Sequence, residues 1–328
     1  MRYTTLYMAL AVLLLLAACG NDERMELDSM PIGFAASTAE SSRATLVDQE
    51  WFDRDGSEFL VFADYRFNES ASHPSGYRDS IALFRGQKVT SNGVKWNYTP
   101  LQFWQSEGAY DFRAVWPSTA RVQLTSTGQA MMVNYSVITD TCDMMVAYKH
   151  VPMPKSGGNY VGLNFNHTLA AVSIIIDKEE NDLQEYTIKN TYFRNLYVAG
   201  NFIHTNSPET PEAIYSCWQK SYFENERNIH EHAHGLKVPQ AFGFDFMIPQ
   251  DVNPEGAAAG AKAMLCYTLV VNGIEFATET EIPNIRWLPG NKYTYRVTIK
   301  GSDARIEVIT TRWDEVNLTI DDIIGKLE

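Results

Sequence analysis

The thiol of Cys19 carries the most specific chemistry written into this 328-residue chain. It follows Leu16-Ala17-Ala18, which with the apolar stretch Met8–Ala18 and the positive Arg2 makes the three ordered parts of a lipobox. The cysteine of a lipobox takes a diacylglycerol. Acyl chains contribute about 0.8 kcal/mol per buried CH₂, so a lipidated Cys19 is a stable membrane tether. The apolar stretch is too short to span a bilayer, so residues 1–18 are expected to be a signal peptide rather than an uncleaved anchor helix. Asp22, Glu23, Glu26 and Asp28 follow as an acidic, solvated tether.

Other reactive residue types do not assemble into a catalytic pattern. In His230-Glu231-His232-Ala233-His234 a strand would align three imidazoles, and a helix would align His230 with His234. The segment lacks the His-Glu-x-x-His order and lies among Asn, Glu and Lys residues, so a solvated loop without metal is expected. Gly256-Ala257-Ala258-Ala259-Gly260-Ala261-Lys262 has the wrong spacing for a phosphate loop and no following Ser or Thr, which leaves a turn. No Gly-x-Ser-x-Gly elbow occurs. Cys142, Cys217 and Cys266 match no zinc spacing, and whether any two of them pair is open. His167 is expected to be a hydrogen-bonded core or interface residue. The expectation is a protein that is not an enzyme and needs no cofactor.

The elements that would position any site are strands. The net charge is −13, with no basic tract, which argues against nucleic acid as a partner. Aromatic residues are plentiful and helix-period stretches scarce, which favours an all-β chain long enough for two domains. Leu163 to Asp177 is the organising strand: it alternates at first, then is apolar from Leu169 to Ile176, as expected of a strand buried on both faces. Further strands are expected at Ile32–Ala36, Phe59–Ala63, Ala109–Trp116, Met144–Ala147, Phe193–Val198 and Phe242–Ile248, with a β-like pattern from Trp51 onward. Asn92-Gly93 and Asn272-Gly273 suit type I′ hairpins, and Gly301-Ser302-Asp303 turns a third. Only Ser216–Asn228 and Ile323-Ile324 look helical. Lys155–Asn159 is the expected domain boundary. The aromatic set Trp96, Tyr98, Trp104, Tyr110, Phe112 and Trp116 is expected in a core rather than on a sugar platform.

Several motifs occur in one order: Trp96-Asn97-Tyr98-Thr99-Pro100, Tyr110-Asp111-Phe112-Arg113-Ala114 with Trp116-Pro117, Asp143–Ala147, Leu163–Val172, Phe246–Gln250 and Trp287–Tyr295. Together, from about Arg43 to Trp313, they resemble the Bacteroidia fimbrillin family, the Mfa-like subunits of type V pili. The acidic run after Cys19 likewise resembles the surface-export tag of Bacteroidia lipoproteins. The resemblance implies two tandem transthyretin-like β-sandwich domains, residues 44–158 and 159–328, preceded by a tether and removable strand in residues 19–43. It implies a lipoprotein at the surface of the outer membrane, cut by an arginine-directed protease so that its groove accepts a neighbour's strand.

Carried onto this sequence, Ile32 and Phe34 would fill that groove and Arg43–Ala44 would be the processing site, with Arg24 as a rival and an ordinary loop arginine as the alternative. Val316, Leu318 and Ile320 alternate as a donor strand would, or as the closing strand of the second domain. The implied function is a structural subunit of fimbriae supporting adhesion, with other fimbrial subunits as partners and a host or bacterial surface ligand beyond them. A non-polymerising surface lipoprotein that binds glycan or host ligand is the alternative. Stalk, tip and anchor roles are not distinguished by the residues.

Overall fold

Alternating apolar and polar residues, rich in β-branched and aromatic types, pull most of the described residues of this protein into strands. The computed structural model describes residues 30–38, 49–66, 80–105, 108–124, 131–140, 142–152, 160–204, 210–224, 227–230, 235–301 and 303–312. In chain order the first part comprises β1 (Gly33–Thr38), α1 (Gln49–Asp53), β2 (Glu58–Arg66), β3 (Ser80–Ser91), β4 (Trp96–Asn97), β5 (Ala109–Trp116), β6 (Arg121–Leu124), β7 (Met131–Ser136), β8 (Met145–Val151) and β9 (Tyr160–His167). Seven of these strands close a barrel in the order β1-β4-β3-β2-β5-β8-β9, the ring being completed by parallel pairing of β1 with β9.

Every residue of β5 is buried, because both of its faces are covered. Tyr110, Phe112, Ala114 and Trp116 point into the barrel, whereas Val115 joins Phe62 and Val146 in a second core. The outer face of β5 also carries charge. Asp111 accepts from Tyr148 Oη at 2.6 Å, lies 2.9 Å from His150 Nδ1 and pairs with Arg66. Arg113 pairs with Asp64 at 3.3 Å; burial pulls the guanidinium below its ordinary pKa and pushes the Asp64 carboxyl up. At the start of this strand, a Cβ on Gly108 would collide with the Arg66 carbonyl.

The rest of the chain adds β10 (Ala170–Lys178), β11 (Tyr186–Arg194), β12 (Leu196–His204), α2 (Pro211–Ser216), β13 (Trp218–Glu224), β14 (Arg227–His230), β15 (Leu236–Lys237), β16 (Gln240–Ala241), β17 (Asp245–Met247), β18 (Asp251–Val252), β19 (Met264–Val271), β20 (Ile274–Glu281), β21 (Ile285–Arg286), β22 (Asn291–Lys300) and β23 (Asp303–Arg312). One sheet runs β16-β10-β22-β23, with β17 also on β10; another runs β14-β11-β19-β20, with β15 on β11. Ile174, Leu265, Trp287, Tyr293 and Tyr295 are among their shared core, and Trp287 Nε1 donates to Tyr295 Oη at 2.8 Å. A third sheet, β13-β12-β7-β6, takes the β6–β7 hairpin, which precedes residue 158, and pairs it with β12, which follows it.

The fold is all-β, as expected, but several elements differ from the expectation. The run from Leu163 to Asp177 is two strands, β9 in the barrel and β10 in the second core. Between them Thr168 is anchored: its amide and Oγ1 both donate to the Met144 carbonyl, at 2.9 and 2.7 Å, and its own carbonyl accepts from Trp218 Nε1. The Phe193–Val198 segment is likewise split, at Asn195, whose φ of 63° breaks the extended chain. Around Trp51 the chain is helical, in α1, rather than β-like. The second α-helix, α2, overlaps the expected Ser216–Asn228 region only at Ser216, and most of that region is β13; Pro211 and a Thr210 cap start α2 early. Asn92-Gly93 belongs to a four-residue loop, not a two-residue turn, because Asn92 Oδ1 accepts from the amides of Val94 and Lys95. Asn272-Gly273 does turn directly from β19 to β20, with φ of 51° and 80°.

Candidate functional site

The strand alternation that places every second residue on one face begins at Met30 and continues through β1. Met30, Ile32 and Phe34 are 5%, 1% and 2% exposed, while Pro31, Ala35 and Ser37 face outward. Phe34 stands in a box of four rings from four elements: Phe59 at 6.1 Å, Phe84 at 5.6 Å, Tyr98 at 5.5 Å and Phe112 at 6.1 Å between centroids. Three of these contacts are edge-on. Such pairs contribute about 0.5–1.5 kcal/mol each beyond burial, and each large apolar side chain adds roughly 1.5–3 kcal/mol by leaving water.

Main-chain bonds hold β1 unevenly. On one side six residue pairs run parallel to β9, from Gly33↔Tyr160 to Thr38↔Phe165. On the other side β4 contributes one pair, Phe34↔Trp96, and the following loop supplies the rest. There the Ile32 amide donates to the Gln102 carbonyl at 2.9 Å, the Trp104 amide donates to the Met30 carbonyl at 3.1 Å, and Tyr98 Oη donates to the Ile32 carbonyl at 2.7 Å. Burial raises the Tyr98 phenol above its ordinary pKa, so it stays a donor. β9 in turn has only two register pairs with β8, which makes β1 its principal partner. Past β1, α1 closes one end of the barrel with Phe52, whose ring lies 5.1 Å from both Trp96 and Phe165.

Ile32 and Phe34 therefore share the buried, inward face that runs into β1 and that Met30 extends. Met30 was not singled out in the sequence, although the same alternation reaches it. The loop residues Gln102 and Trp104 and the hydroxyl of Tyr98 carry no such pattern. Cys19, Arg24, Arg43, Ala44, Val316, Leu318 and Ile320 lie outside the described residues, as do Lys155–Asn159, His232, His234 and Ile323-Ile324. His167 Nδ1 is 2.6 Å from the buried Asp143 Oδ2, at the junction between the two cores. Of the aromatic set, Trp96, Trp104, Tyr110, Phe112 and Trp116 are buried and Tyr98 is half-buried. No disulfide joins the three described cysteines, and the described residues hold no cluster of metal ligands.

Comparison with known proteins places this arrangement. The chain resembles a fimbrial protein from Bacteroides vulgatus, at 16% identity over 87% of this chain and 100% of that one, with a TM-score of 0.61. It also resembles a candidate cell adhesion protein from Bacteroides ovatus, at 13% identity over 86% and 97%, with a TM-score of 0.50. At such identities the likeness is one of fold. No curated protein matches the sequence. The family model described as fimbrillin-like matches residues 42–313, starting just after β1 and spanning most of the chain. The barrel completed by its own first strand and the sheets beyond it thus belong to a member of the fimbrillin-like family.

Proposed function

We propose that this protein is a subunit of cell-surface fimbriae, exported as a lipoprotein through Cys19 and matured by cleavage between Arg43 and Ala44. Cleavage severs the only covalent link between β1 and the barrel. Without β1 the ring opens to β4-β3-β2-β5-β8-β9, a sandwich-like array with a groove between β4 and β9. That array is the core of the first of two tandem transthyretin-like domains, residues 44–158, with β9 added to it from the start of residues 159–328. A strand from a neighbouring subunit then takes the place of β1, while Val316, Leu318 and Ile320 of this chain are donated elsewhere. The assembled fibre presents the subunit for adhesion outside the outer membrane.

One observation carries the reading: the seated β1 fills an aromatic groove yet is the main support of β9, so its loss leaves a cleft that needs a new strand. The start of the family match at Ser42 also supports it. The test is exchange. Protein cleaved by an arginine-specific protease, with Ala44 as its new N-terminus, is expected to swap β1 for an isotope-labelled peptide of residues 29–43, read by native mass spectrometry. Arg43→Ala protein should resist both cleavage and exchange. A surface-exposed mature form that keeps Cys19 and β1, or cleaved protein that never exchanges, would sink the proposal.

A further inference from the structure

The groove beneath β1 is shaped for one kind of strand. Its centre is the Phe34 box, whose walls come from β2, β3, β5 and the loop after β4. These walls belong to separate strands held in ring register, so they cannot close together around a smaller side chain. Tyr98 is fixed further because its hydroxyl also accepts from the Gln102 amide at 3.2 Å. Two residues before the box the groove takes the branched aliphatic Ile32, and two after it the small Ala36.

Residues 313–328 of this chain do not match that pattern. Read as a strand with period two, Val316, Leu318 and Ile320 share one face, and the next residue of that face is Asp322. Trp313 falls on the opposite face with Glu315, Asn317 and Thr319. With that first face inward, every register in either direction puts an aliphatic or a charged side chain in the Phe34 box; with the other face inward, Trp313 reaches the box only by placing Glu315 in the space of Ile32 or Ala36. When Leu318 takes that place, Ile320 or Val316 must also occupy the space of Ala36. The centre is underfilled and its neighbour crowded, and both errors weaken packing.

We infer that the occupant of this groove is a strand from a different subunit, not from a second copy of this chain. That strand carries an aromatic ring at its central inward position, an aliphatic residue two positions to one side and a small residue two positions to the other. The inference rests on the strand-exchange reading above and names its partner. Cleaved protein is offered four peptides: residues 29–43, the same with Phe34→Leu, residues 313–328, and the latter with Leu318→Phe. Exchange affinities are read by competition against labelled peptide 29–43. The expected result is at least tenfold weaker binding for Phe34→Leu and for residues 313–328, with Leu318→Phe recovering at least tenfold. Equal binding of residues 313–328 and 29–43, or no gain from Leu318→Phe, overturns the partner assignment while leaving strand exchange intact. If no peptide exchanges, not even residues 29–43, strand exchange itself fails and this inference falls with it.

Discussion

His204 has one proton and one acceptor within reach. It is fully buried, its Nε2 donates to the Ala147 carbonyl at 3.0 Å, and its Nδ1 has no hydrogen-bond partner among the described residues. A carbonyl only accepts, so Nε2 carries the hydrogen. Burial disfavours the imidazolium and holds the pKa down at about 4, against 6.5 for the free group. The unfolded chain therefore takes up a proton that the folded chain refuses as pH falls from about 6.5 to 4. Stability present above pH 6.5 is lost across that window, by on the order of 3 kcal/mol, and levels off below it. Urea titrations at pH 7.5 and 4.5 should show this loss in the native protein and a smaller one in His204→Gln. Phe34 governs stability without titrating. Phe34→Ala should cost about 3–5 kcal/mol in urea unfolding, since four fixed rings border the space it leaves. Tyr98→Phe should cost about 1 kcal/mol by removing the donor to the Ile32 carbonyl.

At the scale of the element, local signals succeed where the chain needs only its neighbours. Asn272 and Gly273 both adopt positive φ, which their residue types tolerate, and β19 and β20 pair from Val271↔Ile274 onward. Asn272→Ala and Gly273→Ala are each expected to cost about 1–2 kcal/mol, measured by the midpoint of chemical unfolding. The ion pairs laid across the same sheet, Lys189–Glu275, Arg194–Glu279 and Lys262–Glu281, are solvent-exposed. Glu275→Gln should accordingly change stability by less than about 1 kcal/mol. Local signals fail where a partner decides. Asn92-Gly93 looks like the later turn, but the Asn92 side chain caps the amides of Val94 and Lys95 and widens the loop. Continuous apolar character from Leu169 to Ile176 marks a strand buried on both faces, yet nothing in it tells where β9 ends. The Met144 carbonyl and Trp218 indole, distant in sequence, pin Thr168 and set that point.

For the whole molecule, the two cores are interlocked. Phe62, Val115 and Val146 sit on barrel strands but pack into the second core, and the β6–β7 hairpin pairs with β12 beyond the barrel. Calorimetry of the full chain is therefore expected to show one heat-unfolding transition, with calorimetric and van't Hoff enthalpies in agreement. Two separated transitions would mean that the cores fold independently. The all-β class, the period-two face of the first strand with Ile32 and Phe34, and the order of the family's motifs were determined by the sequence alone, because each depends on residue type and near-neighbour spacing. Which strand closes the barrel, which four rings surround Phe34, and how one apolar run divides between two cores were decided only by tertiary structure. Those features depend on contacts between residues tens to more than a hundred positions apart, and side-chain period carries no record of which distant surface a buried face will meet.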